Sequence, residues 1–147
     1  MLPFRTCLRD PLIKEASVEI VPSSKMITSS AQIHHLDMNK CTLADTEFKS
    51  EFELTVNETG TVTSIAGYFD TFFDDPCLKN PVMFSTGPAA TPTHWKQTVF
   101  YLREPLSVSK GQVIKGKISV VRPDQDIRAL RVKLALDGHK SQTFHVE

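Results

Sequence analysis

The stretch Glu47 to Val56 alternates almost without fault. Phe48, Phe52, Leu54 and Val56 fall on one parity, and Glu47, Lys49, Glu51 and Glu53 on the other. Successive side chains of an extended chain point to opposite faces, so a period of two specifies a strand with one face buried and one in water. The pattern recurs: Ile114, Ile118 and Val120 alternate with Lys115, Lys117 and Ser119, and Leu130, Val132, Leu134 and Leu136 alternate with Arg131 and Lys133. Asn57-Glu58-Thr59-Gly60 reads as a turn, and Asp137-Gly138 as a tight hairpin turn, because glycine accepts the positive φ such turns need. Thr143 to Val146 then closes as a last strand, with Ala16 to Val21 and Gln32 to Asp37 as two more near the start. Thr61 to Phe73 reads as one long strand, and because Val62, Ile65, Tyr68, Phe69, Phe72 and Phe73 break alternation it is expected to be central and buried on both faces. Gly67 marks a bulge or a close backbone approach within it. No window keeps a helical period, and the nine prolines, with Pro22, Pro81, Pro105 and Pro123 at strand ends, suit a chain of many connections. The expectation is an all-β domain over residues 16–147, a single antiparallel barrel or sandwich of roughly eight to eleven strands, after an irregular lead over residues 1–15.

A chain of 147 residues makes one domain with a core of its own. Basic and acidic residues balance at 17 each, so no global charge points to nucleic acid or to a membrane surface. The balance conceals a split: residues 1–95 carry 7 basic and 12 acidic side chains, residues 96–147 carry 10 and 5. From Asp37 to Asp75 there are 9 acidic and 2 basic residues, which reads either as a solvated strand face or as a negative surface. Cys7, Cys41 and Cys77 are odd in number and lack metal-ligand spacing, which suggests reduced thiols and a cytoplasmic home, with the nucleus as a second compartment. Asn57-Glu58-Thr59 matches a glycosylation sequon, a weak signal in three letters. No segment is apolar for long enough to span a bilayer, and Met1 to Arg5 does not open a signal peptide.

Candidate chemistry narrows quickly. The six glycines form no GxGxxG and no P-loop, so the chain carries no recognisable nucleotide or cofactor cradle. His34 and His35 are adjacent on an expected strand, point to opposite faces and cannot share a metal, while His139 and His145 read as surface residues of a terminal hairpin. A Cys41, His35 and Asp37 nucleophile arrangement can be drawn, but nothing in the sequence forces it. His94 and Trp95 differ from these. Gly87, Pro88 and Pro92 make Ser85 to Thr93 an ordered loop that delivers an imidazole titrating near neutrality beside an aromatic face able to contact a cation. The alternative is that Trp95 plugs one end of the barrel and His94 caps it.

Phe84-Ser85-Thr86-Gly87-Pro88 followed by Thr91-Pro92-Thr93-His94-Trp95-Lys96-Gln97-Thr98-Val99-Phe100-Tyr101-Leu102 resembles the C-terminal half of the protein arginine N-methyltransferases. Ala66-Gly67-Tyr68-Phe69-Asp70 is similar to the strand preceding that loop. Asp45-Thr46-Glu47-Phe48, Phe52-Glu53-Leu54 and Lys110-Gly111-Gln112-Val113-Ile114-Lys115-Gly116-Lys117-Ile118 are similar to flanking family segments. The resemblance covers residues 7–147 and looks closest to the type I subclass with an N-terminal zinc finger; Met1 to Phe4 does not match. It implies the barrel half of an enzyme whose other half binds S-adenosylmethionine and holds the arginine with two glutamates. The cofactor would belong to the complete enzyme, with none bound by this chain. It further implies that His94 pairs with an acidic residue of the cognate methyltransferase domain, that Trp95 lines the arginine pocket and that Thr93 holds the loop. The dimerisation arm of the family has no counterpart here, and the chain alone is expected to be inactive. Arginine/glycine-rich proteins would be the substrates, drawn by a negative face built on Glu47, Glu51 and Glu53. The competing reading is a self-standing β-sandwich interaction module. A barrel separated from its partner domain should expose a large apolar patch near His94 and Trp95, whereas a module that lives alone should have polar cover there.

Overall fold

A computed structural model describes residues 13–73, 79–80, 82–123, 126 and 128–146. Among the described residues nine strands run in chain order: β1 Ser17–Glu19, β2 Phe48–Thr55, β3 Gly60–Gly67, β4 Asp70–Phe73, β5 Val82–Ser85, β6 Gln97–Val108, β7 Val113–Val121, β8 Leu130–Leu136 and β9 Gln142–Val146. All strand pairs are antiparallel and group into a four-stranded sheet β2-β7-β8-β9, a three-stranded sheet β1-β6-β3 and a separate hairpin β4-β5. The fold is all-β, as the alternation requires.

The alternating strands form where they are expected because each has one apolar face to bury. Phe52, Leu54, Ile118, Val120, Val132 and Leu134 turn inward from the four-stranded sheet and meet Val62, Phe100 and Val108 from the three-stranded one. Phe144 is entirely enclosed, its ring edge-on to Phe100 with centroids 5.1 Å apart. Gly116 lies directly across from Phe52, and a Cβ there would overlap the phenyl ring. The Asp137-Gly138 turn closes with Gly138 at φ +79° and the His139 amide donating to the Leu136 carbonyl at 3.0 Å. Two isolated bridges add to the strand ladders: Glu15 pairs in parallel with His145, and Thr28 antiparallel with Val56. The Ala16 amide bonds the His145 carbonyl at 2.9 Å, and the Asn57 amide bonds Ile27 at 2.8 Å.

Several expectations change. The stretch 61–73 is two strands, β3 and β4, broken at Tyr68-Phe69. β3 is an edge strand rather than a central one, and Tyr68, Phe69, Phe72 and Phe73 are exposed rather than buried. The register irregularity falls at Val62–Ser64 rather than at Gly67, whose missing Cβ leaves only ordinary contact with Phe100. Opposite that irregularity β6 carries Leu102 to Pro105 without Cα partners on β3, so Pro105 sits inside a strand where the ladder asks for no donor, not at a strand end. Residues 32–37 form no strand: Ile33 packs on the core without a ladder, His34 stacks on Phe48 at 4.1 Å, and its Nε2 contacts the Asp45 carbonyl at 2.9 Å. His34 and His35 therefore have no opposite faces of a strand to occupy. Most of the irregular lead, Cys7, Cys77 and Pro81 lie outside the described residues.

The acidic run of β2 is not a free negative face. Register places Glu51 across from Lys117 and Glu53 across from Lys115, and the pairs close at 2.5 and 2.9 Å. Glu47 accepts the Arg122 amide at 3.0 Å and lies 3.9 Å from that guanidinium. The hydrogen bond and charge of Lys117 hold the Glu51 carboxyl below the usual range, and Glu51 in turn raises Lys117. The acidic first part of the chain meets the basic second part across one strand boundary, which removes the long-range field that a bare carboxylate row would have.

Candidate functional site

The Thr93-His94-Trp95 loop is built by two consecutive turns between β5 and β6. In the first, Gly87 donates its amide to Ser85 Oγ at 3.0 Å and accepts the Ala90 amide at 3.0 Å, with Pro88 presetting the backbone at the second position. A Cβ at Gly87 would stand 2.9 Å from the Tyr68 ring, so any side chain there requires that ring to move. In the second, the Lys96 amide donates to the Thr93 carbonyl at 3.2 Å, leaving His94 and Trp95 at the tip. Lys96 has φ +55°, the one non-glycine residue in the left-handed region among those described. A left-handed lysine is strained by about 1–2 kcal/mol, so the surrounding contacts impose it.

The loop tip is an open aromatic platform. His94 and Trp95 have ring centroids 3.8 Å apart. Trp95 stacks on Phe84 at 5.6 Å with planes 16° apart and meets Phe69 edge-on at 5.8 Å. Trp95 keeps 49% of its surface exposed, so it does not plug the barrel, and His94 is exposed as well. The plug alternative is therefore overturned. The apolar surface continues along the hairpin through Phe72, Phe73, Val82 and Met83, each more than half exposed. The patch expected beside the loop is present.

Beneath the platform lie the two buried polar residues among those described, Thr86 and Gln97. The Thr86 amide and hydroxyl both bond the Phe69 carbonyl, at 2.9 and 3.0 Å, and the hydroxyl accepts the Phe69 amide at 3.0 Å. Gln97 Nε2 donates to the Thr86 carbonyl at 2.5 Å, and its Oε1 accepts the Val21 amide at 2.7 Å. The Thr93 hydroxyl is buried without a partner. Among the described residues no carboxylate forms an ion pair with His94, and no cluster of His, Cys, Asp and Glu could hold a metal ion.

Thr93, His94 and Trp95 thus come together as one loop, supported by Phe69, Phe84, Thr86 and Gln97, whose individual roles carry no periodic signal in the sequence. Cys41, His35 and Asp37 do not assemble a nucleophile. The Asp37 carboxylate is held below its usual range first by the Asn39 amide and then by Lys40, at 3.0 and 3.1 Å. What the platform can do is offer an exposed indole to a flat cation with an imidazole in ring contact beside it.

Residues 5–142 match the family model of the arginine methyltransferase oligomerization subdomain. The chain is 35% identical over 124 residues to Protein arginine N-methyltransferase 1 of Saccharomyces cerevisiae, covering 84% of this chain and 36% of that protein. It is 36% identical over 132 residues to Protein arginine N-methyltransferase 8-B of Danio rerio, covering 90% of this chain and 31% of the relative. The fold superposes on the Trypanosoma brucei PRMT1 enzyme-prozyme heterotetrameric complex with AdoHcy at a TM-score of 0.90 and 29% identity, over 99% of this chain and 48% of that one. Protein Arginine Methyltransferase 10 of Arabidopsis thaliana shares the fold at a TM-score of 0.84 and 18% identity. The chain spans about a third of the length of these curated relatives.

Proposed function

Because the chain belongs to the protein arginine N-methyltransferases through their C-terminal barrel subdomain, we propose that it supplies the substrate-side half of an arginine-methylating site. In this reading the Trp95 face lines the place where a substrate guanidinium sits, His94 closes the contact to the cognate methyltransferase domain through an acidic residue of that domain, and Thr93 anchors the loop. The observation that carries it is the platform: an exposed indole and imidazole at one tip, beside a hairpin whose apolar side chains are exposed. Apolar area of this kind is a contact waiting for a second body, and it weighs against a module that evolved to stand alone.

The described residues do not fit S-adenosylmethionine. A nucleotide cradle needs a glycine-rich turn at a helix N-terminus, and among the described residues helix is confined to Ile13–Lys14 and to single 3-10 turns at Ser23–Lys25 and Leu43–Thr46. The methyl donor and the carboxylates that orient the arginine belong to the other domain, so the chain alone is inactive in this proposal. The type I, zinc-finger-bearing subclass is part of it, supported by Ser85-Thr86-Gly87-Pro88, as is a reduced cytoplasmic setting, supported by the free thiol of Cys41. Arginine/glycine-rich substrates remain the fitting class on the strength of the family and the cation-accepting ring, without help from the paired acids of β2.

The test is a chimera in which this chain replaces the matching segment of the yeast relative. Methyl transfer from S-adenosylmethionine to an arginine/glycine-rich peptide is expected from the chimera and absent from the relative lacking the segment. His94→Ala should cost about a hundredfold in rate if the imidazole handles a proton or locks the domains. Trp95→Ala should weaken peptide binding by roughly tenfold, the worth of a partly desolvated cation–π contact. A chimera as active with both substitutions as without them would overturn the reading.

A further inference from the structure

Gln97 is buried to 3% exposure at the first position of β6, directly after the strained Lys96, and both ends of its carboxamide are bonded. One end donates to the Thr86 carbonyl and the other accepts the Val21 amide, partners 11 and 76 positions away. Thr86 in turn grips both backbone groups of Phe69. Three separate chain segments thus meet at one side chain: the end of β1, the β5 exit that carries Phe84, and the start of β6 that carries the loop. A buried amide that satisfies donor and acceptor at once fixes its neighbours in position as well as in distance, since any shift leaves an unpaired polar group inside.

We infer that Gln97 is the positioning residue of the platform: its carboxamide, bonded to Thr86 and through it to Phe69 on one side and to the Val21 amide on the other, fixes the start of β6 so that Trp95 and His94 stay in ring contact. It touches neither a substrate nor a reacting atom. Its use in arginine recognition rests on the proposed function, but the geometric claim stands apart from it. A strand can begin with almost any residue; a left-handed lysine followed by an enclosed glutamine has to be held by its neighbours. The T-shaped and stacked contacts of Phe69, Phe84 and Trp95 are set by where those backbones lie, and the carboxamide joins two of the three.

The 147-residue chain contains one tryptophan, so its emission reads this contact directly. An imidazole in ring contact perturbs the emission of an indole, and the His94 ring lies 3.8 Å from Trp95. His94→Ala should therefore change the emission intensity of the folded chain at one fixed pH. Gln97→Met, which keeps the volume and removes both hydrogen bonds, should reproduce most of that change while the far-ultraviolet circular dichroism stays that of a β protein. Val99→Ala, a buried position on the same strand with no part in the polar contacts, should lower the melting temperature and leave the emission as in the wild-type chain. Wild-type emission from Gln97→Met, altered emission from Val99→Ala, or no effect of His94→Ala overturns the inference. Should Gln97→Met fail to fold, the wild-type side-chain amide protons decide. Those of Gln97 should exchange with solvent far more slowly than those of exposed Gln32, and equal rates overturn the inference. None of these readouts needs a methyl donor, so an inactive chimera would leave them standing.

Discussion

Tyr101 shows how one side chain can fasten an edge. It lies on β6, across a strand boundary from the three-residue β1, and its hydroxyl donates to Glu19 Oε1 at 2.8 Å. That hydrogen bond, with some burial and the carboxylate charge, raises the phenol above its ordinary pKa near 10. A group raised in the folded state stabilises the fold fully below its unfolded value, and the contribution disappears as pH climbs through the folded one. Ultraviolet titration of phenolate absorbance should find a tyrosine ionising late, and Glu19→Gln should bring that midpoint down; an unmoved midpoint would mean the contact is not formed. Lys96 and Gln97 make the complementary point. Neither an enclosed glutamine nor a left-handed lysine belongs to a periodic pattern, and what gives them meaning is a set of partners 11 to 76 positions away.

Strands with one wet face are readable because burial writes the period into the sequence, and β2, β7, β8 and β9 form where alternation places them. Two elements were not readable, and the reason is the same in both. Residues 32–37 look like a strand because Ile33 is apolar, yet that side chain reaches the core with no ladder around it. Residues 68–73 look buried because they are aromatic, yet Tyr68, Phe69, Phe72 and Phe73 are exposed. Pattern reports that a side chain avoids water without reporting what covers it. The candidate loop itself was legible, whereas its supporting residues were not. Within the four-stranded sheet, the Phe52–Gly116 pair gives the sharpest test of packing. Gly116→Ala pushes a methyl into an enclosed ring and should cost about 1–3 kcal/mol in chemical denaturation. Phe52→Leu in the same chain should relieve part of that cost, because the two positions are direct neighbours and their effects do not add. Additive losses would show that the ring moves aside freely.

At the scale of the molecule, an enclosed core stands beside a hairpin apolar on both faces. Cross-strand partners share a face, so Phe72 and Met83 lie on one side of the hairpin and Phe73, Val82 and Phe84 on the other. A two-stranded ribbon is marginal by itself; this one joins the barrel where Gln97 bonds the Thr86 carbonyl and where Phe84 stacks on Trp95. The chain should therefore bind an apolar dye while fully folded and self-associate as its concentration rises. Phe72→Ser with Met83→Ser should reduce both effects and leave the melting temperature within error, since the replaced side chains bury little. Unchanged self-association would locate the adhesive surface elsewhere.

The interrupted pairing of β6 has one more consequence, for how such a chain tolerates change in length. On one side of the gap Phe100 is pinned opposite Ile65, and on the other Leu106 is pinned opposite Val62. Between them Arg103, Glu104 and Pro105 are exposed and owe β3 no ladder bond. A residue added or removed there would be absorbed in the gap, whereas the same change two residues to either side would turn a whole apolar face outward. Descendants of this barrel are free to vary in length at that joint, and a peptide tag spliced into it would be carried on the surface with both ends of the strand still in place.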